Sequence, residues 1–361
     1  MKSVDSANRV ELIDVLRGGA AFAVMWYHFT QSRMFAGSLG LSDKLIKMSG
    51  AEGAIGVQVF YVLSGFVIPL SMSRSGYSLA DWSRFLQKRL VRIHPPYVAC
   101  IAIALAVWLL ETGIPNYHGE PFQLEVSRLL AHAWYGTAVV GFRWYVPVFW
   151  TLAIEVQYYA LIAVVFPLVM HKNRVIRGLV PVLLALMSVA ALRCGVSRDY
   201  LPYWLDYFAM GIVAFQVQSR LMPALPGFLL IAGFGALNID GRFVPHVAGI
   251  ATAYLIAFAP VSIKSRWLAG LGAISYSLYL IHLPIGGRII RVGTRIADDA
   301  VSRSFVLAVA TLVSIFAAWL VYRWIECPAQ RWSSRIRYRR SNNSRLQSEQ
   351  GRSNSPIPGT S

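Results

Sequence analysis

Arg17 and His28 stand eleven positions apart in the first apolar stretch of the chain. At about 100° and 1.5 Å per residue, eleven helical steps return to within roughly 20° of the starting direction and cover about 16 Å. One helix face is therefore predicted to carry a permanent cation at one end and a titratable imidazole at the other, with room for a long donor molecule between them. In the structural alternative, Arg17 pairs with Asp14 and His28 is an interfacial residue.

A second pair of cations, Arg89 and Arg92, lies one helical turn apart in the segment RFLQKRLVRIHPPY. Two guanidiniums on one face match phosphate oxygens in bidentate geometry, so this pair could clamp a phosphate. Anchoring of basic residues at a membrane surface explains the same spacing. We expect His94-Pro95-Pro96 to close the segment at the membrane edge.

Glu155 lies about a turn and a half inside an apolar stretch that begins after Pro147. A carboxylate is costly there, so it is expected to face a polar cavity, where it could orient a histidine or bind a hydroxyl-bearing acceptor. Hydrogen bonding to Trp or Tyr donors of a neighbouring helix is the structural alternative. Further on, Tyr276, Tyr279 and His282 recur at three-residue spacing, and an aromatic stripe with one histidine is more often core than catalyst.

The elements that position these residues are predicted to be transmembrane helices. The 361 residues are 56% hydrophobic and only 14% charged, with a mean hydropathy of +0.51, whereas a soluble domain carries roughly 25% charged residues. Lipid offers backbone polar groups no partner, and the apolar runs lack the alternation of barrel strands, so the fold class is all-α, a bundle of about ten spans. The predicted spans are 10–31, 51–72, 95–111, 147–170, 177–193, 201–219, 224–237, 244–261, 268–290 and 303–325.

Charge and cysteine content exclude other classes. The formal net charge of +17 could suggest nucleic acid, but the basic residues form short clusters between apolar runs rather than one basic face. Cys100, Cys194 and Cys327 are widely spaced and form no Cys/His ligand pattern, so neither a disulfide framework nor a metal site is predicted.

Basic clusters also predict the orientation of the bundle. With ten spans, the clusters at 74–92, 172–177, 264–266 and after Trp332 fall on the side of both termini, which the positive-inside rule makes the cytoplasm. Arg288, Arg291 and Arg295 are the exception, since they are predicted in an outer loop after the ninth span. This topology puts His28, Glu155 and His282 in the outer half, and Arg17, Arg89 and Arg92 in the inner half.

Six ordered patterns then suggest a family. They are Arg17 and His28 separated by ten residues, FYVLSGFVI at 60–68, Arg89-x-x-Arg92, the block with Trp150, Glu155 and Tyr158, the block with Tyr276, Tyr279, His282 and Pro284, and Glu326-x-Pro328. Together they resemble the acyltransferase-3 family of bacterial membrane O-acyltransferases, which decorate surface glycans, lipochitooligosaccharides and macrolides. The resemblance covers residues 8–332, expected as the membrane domain, and leaves 333–361 as a basic, disordered cytoplasmic tail resting on anionic lipid headgroups.

The resemblance implies an enzyme of the bacterial inner membrane that uses acyl-CoA, usually acetyl-CoA, and acylates a hydroxyl of a glycan or glycolipid. It implies His28 as catalytic base, aided by Glu155, and donor binding by Arg17, Arg89 and Arg92. Substrate-binding or supporting roles fall to Trp150, Tyr158, Tyr279 and His282. Many relatives carry a further SGNH-type domain, and this chain is expected to belong to the stand-alone branch.

Two alternatives remain open at this stage. Within the family, the transferred group could be succinyl or a longer acyl chain. From another class, a transporter of a glycolipid or an acyl donor would use the same intramembrane charges as a pathway, but it would have no reason to attack a thioester. A receptor-like scaffold ranks last, because no additional domain is recognisable.

Overall fold

The computed structural model describes residues 2–36, 40–113, 121–237, 243–259 and 265–338. These residues form fifteen α-helices and no β-strand, which confirms the predicted all-α class. The helices are α1 Lys2–Thr30, α2 Leu41–Gly50, α3 Gly56–Arg74, α4 Trp82–Thr112, α5 Val126–Ala133, α6 Trp150–Val169, α7 Arg174–Arg193, α8 Leu205–Gln218, α9 Ala224–Leu237, α10 Phe243–Phe258, α11 Arg266–Ala273, α12 Ser275–Ile281, α13 Gly286–Ile296, α14 Ala300–Val321 and α15 Cys327–Arg335. The start of the predicted tail, 333–335, belongs to α15, and the prediction of disorder falls largely on 339–361, outside the described residues.

Apolar outer surfaces identify a membrane protein. Five helical segments are long and apolar enough to cross a bilayer: Leu41–Arg74, Leu79–Thr112, Pro147–Val169, Arg174–Arg193 and Ala300–Arg335. Helices α9 and α10 are apolar but shorter. Large apolar side chains such as Leu110 and Phe305 are 72% and 70% exposed, which suits contact with lipid rather than water. The total of ten spans stays a prediction.

The predicted end of the basic segment at His94-Pro95-Pro96 is wrong. Helix α4 runs unbroken from Trp82 to Thr112, so His94-Pro95-Pro96 does not close the basic segment. A proline inside a helix lacks the N–H that would bond the carbonyl four residues earlier, which makes it a predicted stop that packing can override. Here the Tyr276 hydroxyl donates to the Ile93 carbonyl oxygen at 2.7 Å, tying this part of α4 to α12. Arg89 and Arg92 consequently share one helix with the apolar stretch that follows.

The predicted ninth span is also different, because it is divided into α11, α12 and α13. One interruption is at Ile274 and the other covers His282 to Ile285. Pro284 lacks an N–H, so the second break lies where the chain offers one helical hydrogen bond fewer. As a result His282 caps the end of α12, and Arg288, Arg291 and Arg295 lie on helix α13 rather than in a loop.

Close backbone contacts at glycines fix the crossings of the helices that carry the candidate site. A Cβ on Gly18 of α1 would lie 2.7 Å from the Gly272 nitrogen of α11. On α3, a Cβ at Gly65 would lie 2.3 Å from the Phe208 carbonyl oxygen of α8, and one at Gly211 would lie 2.2 Å from the Val62 oxygen. Small residues let helices in a bilayer approach this closely, so α1 packs directly on α11 and α3 on α8.

Candidate functional site

Helices α1, α3, α4, α6 and α12 enclose a cavity of about 120 Å³, which we call the central cavity. Its ionisable lining consists of three arginines, two glutamates and four tyrosines: Arg17, Arg89, Arg92, Glu155, Glu326, Tyr61, Tyr159, Tyr276 and Tyr279. The remaining lining is mostly apolar, with Phe60, Leu63 and Ile93 among it. The fold therefore brings the three predicted donor-binding arginines together from two helices.

The three arginines lack acidic partners. Within the described residues, no carboxylate oxygen lies within 4.0 Å of Arg17, Arg89 or Arg92. Arg89 is only 9% exposed, with its guanidinium carbon 5.4 Å from the Phe85 ring centre and 5.8 Å from that of Tyr159. Its buried Nε has no hydrogen-bond partner. Three arginines against two glutamates leave the cavity with an excess of positive charge, and a buried guanidinium nitrogen without an acceptor is costly, so the cavity is suited to an anion.

Glu155 lines the central cavity together with the arginines and lines neither of the two cavities described below that contain His28. Its position in the outer half of the membrane stays a prediction. Its Oε1 accepts a hydrogen bond from the Tyr159 hydroxyl at 2.6 Å, and Ser64 Oγ lies 3.5 Å away. The tyrosine that satisfies this carboxylate is thus one turn along the same helix, not on a neighbouring one.

Glu326 also lines the central cavity, although the sequence predicts no role for it beyond its place in the Glu326-x-Pro328 pattern. It ends a π-helical turn, Tyr322–Glu326, between α14 and α15, and it is 2% exposed. Ser277 Oγ donates to its Oε2 at 2.6 Å, and Gln330 Nε2 donates to its Oε1 at 2.9 Å. Single π-turns are frequent at functional sites, but nothing in the sequence places this one.

His28 and His282 lie next to each other, and neither lines the central cavity. The ring centres of His28 and His282 are 5.3 Å apart, and His282 is fully buried. Nδ1 of His282 lies 3.1 Å from the Leu278 carbonyl oxygen, and because a carbonyl can only accept, this nitrogen carries the proton. The buried Nε2 is left with a lone pair and no partner. His282 is therefore poised to accept a further hydrogen bond.

His28 opens onto two larger cavities. The α13 cavity, of about 840 Å³, lies between His28, Trp108, Trp144 and the arginines of α13. The Trp150 cavity, of about 870 Å³, lies between His28, Trp150 and the loop at Ser197–Tyr200. A molecule approaching His28 can use either one.

Tyr279 lies between His28 and the three arginines of the central cavity. Together with Val57, it lines both the central cavity and the Trp150 cavity. Its hydroxyl oxygen lies 2.9 Å from Thr151 Oγ1, and Thr151 in turn lies 2.9 Å from the Val148 carbonyl oxygen. Arg17 and His28, predicted on one helix face, therefore line separate cavities with Tyr279 between them.

Two further predicted residues have different surroundings. Trp150 lines the Trp150 cavity, and its ring stacks on Trp204 with centres 5.3 Å apart. Tyr158 is fully buried, stacks on Phe208 with centres 4.0 Å apart, and lines none of the three cavities described. Trp150 can therefore touch a bound molecule, whereas Tyr158 supports α6 against α8.

Comparison with known proteins gives one family match and several distant relatives. Residues 10–323 match the model of an acyltransferase domain, acyltransferase-3. BcsY of Komagataeibacter xylinus, provisionally named a membrane-bound transacylase, is 28% identical over 313 residues, covering 77% of this chain and 73% of BcsY. The exopolysaccharide production protein ExoZ of Rhizobium meliloti is 28% identical over 292 residues, covering 75% and 89%. The O-acetyltransferase OatA of Staphylococcus aureus is 23% identical over 365 residues, covering 88% of this chain but 57% of OatA. No solved structure matches the chain.

Proposed function

This chain belongs to the acyltransferase-3 family and is a membrane acyltransferase, and from that premise we propose that it transfers an acetyl group from acetyl-CoA to a hydroxyl of a glycan or glycolipid. One observation carries the proposal: three arginines that form no ion pair with a described residue line a cavity that Tyr279 separates from a histidine pair. The names of two relatives support the chemistry, since ExoZ is an exopolysaccharide production protein and OatA an O-acetyltransferase.

Arg17, Arg89 and Arg92 bind the phosphates of the donor. The buried Nε of Arg89 lacks an acceptor, and a phosphate oxygen would supply one. At about 120 Å³, the central cavity is smaller than the roughly 300–1,000 Å³ of a pocket for a drug-sized ligand, so only one part of the donor enters it. Arg17 and His28 are about 16 Å apart along α1, a distance that a long, thin donor arm has to cover.

His28 acts as the base. It takes the proton from the acceptor hydroxyl while the hydroxyl oxygen attacks the thioester carbonyl carbon. The carbon–sulfur bond then breaks, and His28 returns the proton to the departing thiolate. His282 orients His28 through its free Nε2. Glu155 keeps a role in the reaction, but from the central cavity, where its negative charge limits repulsion among the three guanidiniums and sets how firmly they hold the donor.

Sidedness is part of the same proposal. We place the protein in the bacterial inner membrane with both termini in the cytoplasm, because the basic clusters at 74–92, 172–177, 264–266 and after Trp332 are predicted at that end. The donor then reaches the arginines from the cytoplasm, and the acceptor reaches His28 from outside. Residues 8–332 act as the membrane domain.

The test is acyl transfer by purified protein supplied with radiolabelled acetyl-CoA and surface glycans from the host cell. His28→Ala should abolish transfer while membrane insertion and yield stay normal, and the matched control His171→Ala, in the loop after α6, should be active. Mass spectrometry of glycans from cells with and without the gene identifies the acyl group. Wild-type transfer by His28→Ala would remove His28 from the mechanism, and failure of the wild-type protein to cleave the thioester would favour a transporter.

A further inference from the structure

Arginine is concentrated in the α13 cavity, the larger compartment that His28 shares with α13. Six arginines line it: Arg33, Arg128, Arg143, Arg288, Arg291 and Arg295. Among the described residues, one carboxylate pairs with members of this set. That carboxylate, Glu111, lies 2.7 Å from Arg288 and 3.8 Å from Arg291. The wall of the cavity therefore carries a large excess of positive charge.

The spacing on α13 produces half of this charge. Arg288, Arg291 and Arg295 recur at intervals of three and four residues, so they share one helix face. The apolar residues Val292 and Ile296 are 53% and 67% exposed on another face. An amphipathic helix of this kind can meet lipid with one face while it directs three cations into the cavity.

Aromatic rings stand among the arginines. Trp108, Trp144 and Tyr145 line the same cavity and are half-buried. The guanidinium of Arg128 lies 4.1 Å above the Tyr145 ring, and its Nε donates to the Arg143 carbonyl oxygen at 2.7 Å. Flat aromatic surfaces beside hydrogen-bond donors suit a sugar ring, which has apolar C–H faces and a polar edge.

His132 fixes this wall from behind. Its Nδ1 lies 2.9 Å from the Arg128 carbonyl oxygen, and its Nε2 accepts from the Tyr145 N–H at 3.1 Å. Only a neutral imidazole can donate at one nitrogen and accept at the other, and burial lowers the pKa of His132, which favours that form. The segments that carry Arg128 and Tyr145 are thereby joined before any ligand arrives.

We propose that the acceptor is an anionic glycan, and that its carboxylate or phosphate group binds the arginines of the α13 cavity. The inference rests on the proposed function and adds the chemical class of the acceptor. The anionic group is held by Arg291 and Arg295, a sugar ring packs against Trp144, and a neighbouring hydroxyl is delivered to His28 in the same cavity. Charge also favours this route, since six arginines line the α13 cavity, whereas the Trp150 cavity is lined by two arginines, Arg143 and Arg198, and one acidic residue, Asp199.

Binding of matched probes to the full-length protein in phosphatidylcholine nanodiscs tests this directly. Tetragalacturonate and its methyl ester differ in charge but not in sugar, and geranyl diphosphate presents the phosphates of a lipid-linked glycan. Arg291→Gln combined with Arg295→Gln removes two exposed cations of the cavity. Arg193→Gln is the matched control, because Arg193 is exposed and lines none of the cavities.

We expect the wild-type protein to bind tetragalacturonate or geranyl diphosphate about tenfold more tightly than the neutral ester, with weaker binding at high salt. The double variant should lose most of that preference and the Arg193 variant none. Preference for tetragalacturonate assigns the anion to the sugar, and preference for the diphosphate alone assigns it to the lipid carrier.

Equal binding of the charged and neutral sugars without diphosphate binding would overturn the inference, as would anion binding that survives in the double variant. Displacement of both probes by a small fraction of phosphatidylglycerol would make the cavity a lipid site instead. Cleavage of acetyl-CoA by the same preparation, supplied with surface glycans from the host cell, separates the two proposals: cleavage without anion preference refutes this inference alone, and anion preference without cleavage refutes the proposed function.

Discussion

Replacing Arg89 by Met should change stability and donor binding in opposite directions. Arg89 is a buried cation with an unpartnered Nε, and Met keeps an apolar stem of similar length between the rings of Phe85 and Tyr159. A buried polar group left unsatisfied costs about 1–3 kcal/mol, so the ligand-free variant should be as stable as the wild type or more stable. A hydrogen bond to a charged group contributes about 1.5–3 kcal/mol, so donor affinity should fall about 10- to 150-fold.

Thermal unfolding of the detergent-solubilised protein, with and without acetyl-CoA, measures both effects at once. The donor should raise the melting temperature of the wild type and leave that of Arg89→Met nearly unchanged. Arg84→Gln is the control on the same helix, because Arg84 is 38% exposed and pairs with Asp81 at 3.6 Å outside the cavity. Arg89→Lys keeps the charge but loses the planar fork, so its affinity should be intermediate. A variant with lower ligand-free stability and unchanged donor affinity would refute the assignment of Arg89 to the donor.

Gly65→Ala should destabilise the bundle by about 1–3 kcal/mol, because the new Cβ would lie 2.3 Å from the Phe208 carbonyl oxygen. The control Gly233→Ala should be neutral or stabilising, because a Cβ there would have no atom within 4 Å. Equal melting temperatures of the two variants would show that α3 and α8 can separate without cost. In a Cys194→Ser, Cys327→Ser background, Gln123→Cys should react with an impermeant maleimide on intact cells and Ser334→Cys should not. External labelling of Asp298→Cys would support the ten-span orientation, and labelling from the cytoplasm alone would reverse the last two spans.

Hydropathy predicts the fold class well because lipid imposes one rule on every span: backbone groups bond within the helix, and apolar side chains face out. It predicts interruptions poorly. Pro95 and Pro96 have the same local signature as Pro284, yet α4 continues through the first two and α12 ends before the third. Long-range packing decides between these outcomes, and it is not visible in local spacing.

Helical periodicity likewise locates candidates but not their neighbours. The depth along a span suggests that Glu155 accompanies His28, whereas in the structure it lines the same cavity as Arg17, Arg89 and Arg92, with Tyr279 between that cavity and His28. Glu326 was not predicted as a site residue, because its hydrogen-bond partner Ser277 is 49 positions away in the sequence. Arg128 and Arg143 lie near α13 because His132 holds their loop in place, and no sequence motif predicts that contact.

The position of Tyr279 between two cavities also bears on the ion permeability of the membrane, separately from catalysis. A bundle with water-filled compartments at both ends would conduct protons and ions and discharge the membrane, where each elementary charge is worth about 2.3 kcal/mol per 100 mV. The Tyr279 side chain, hydrogen-bonded to Thr151, lies between the central cavity and the Trp150 cavity. We predict that this side chain also blocks the passage of protons and ions, so a smaller residue at this position should make cells leak current even where acylation continues.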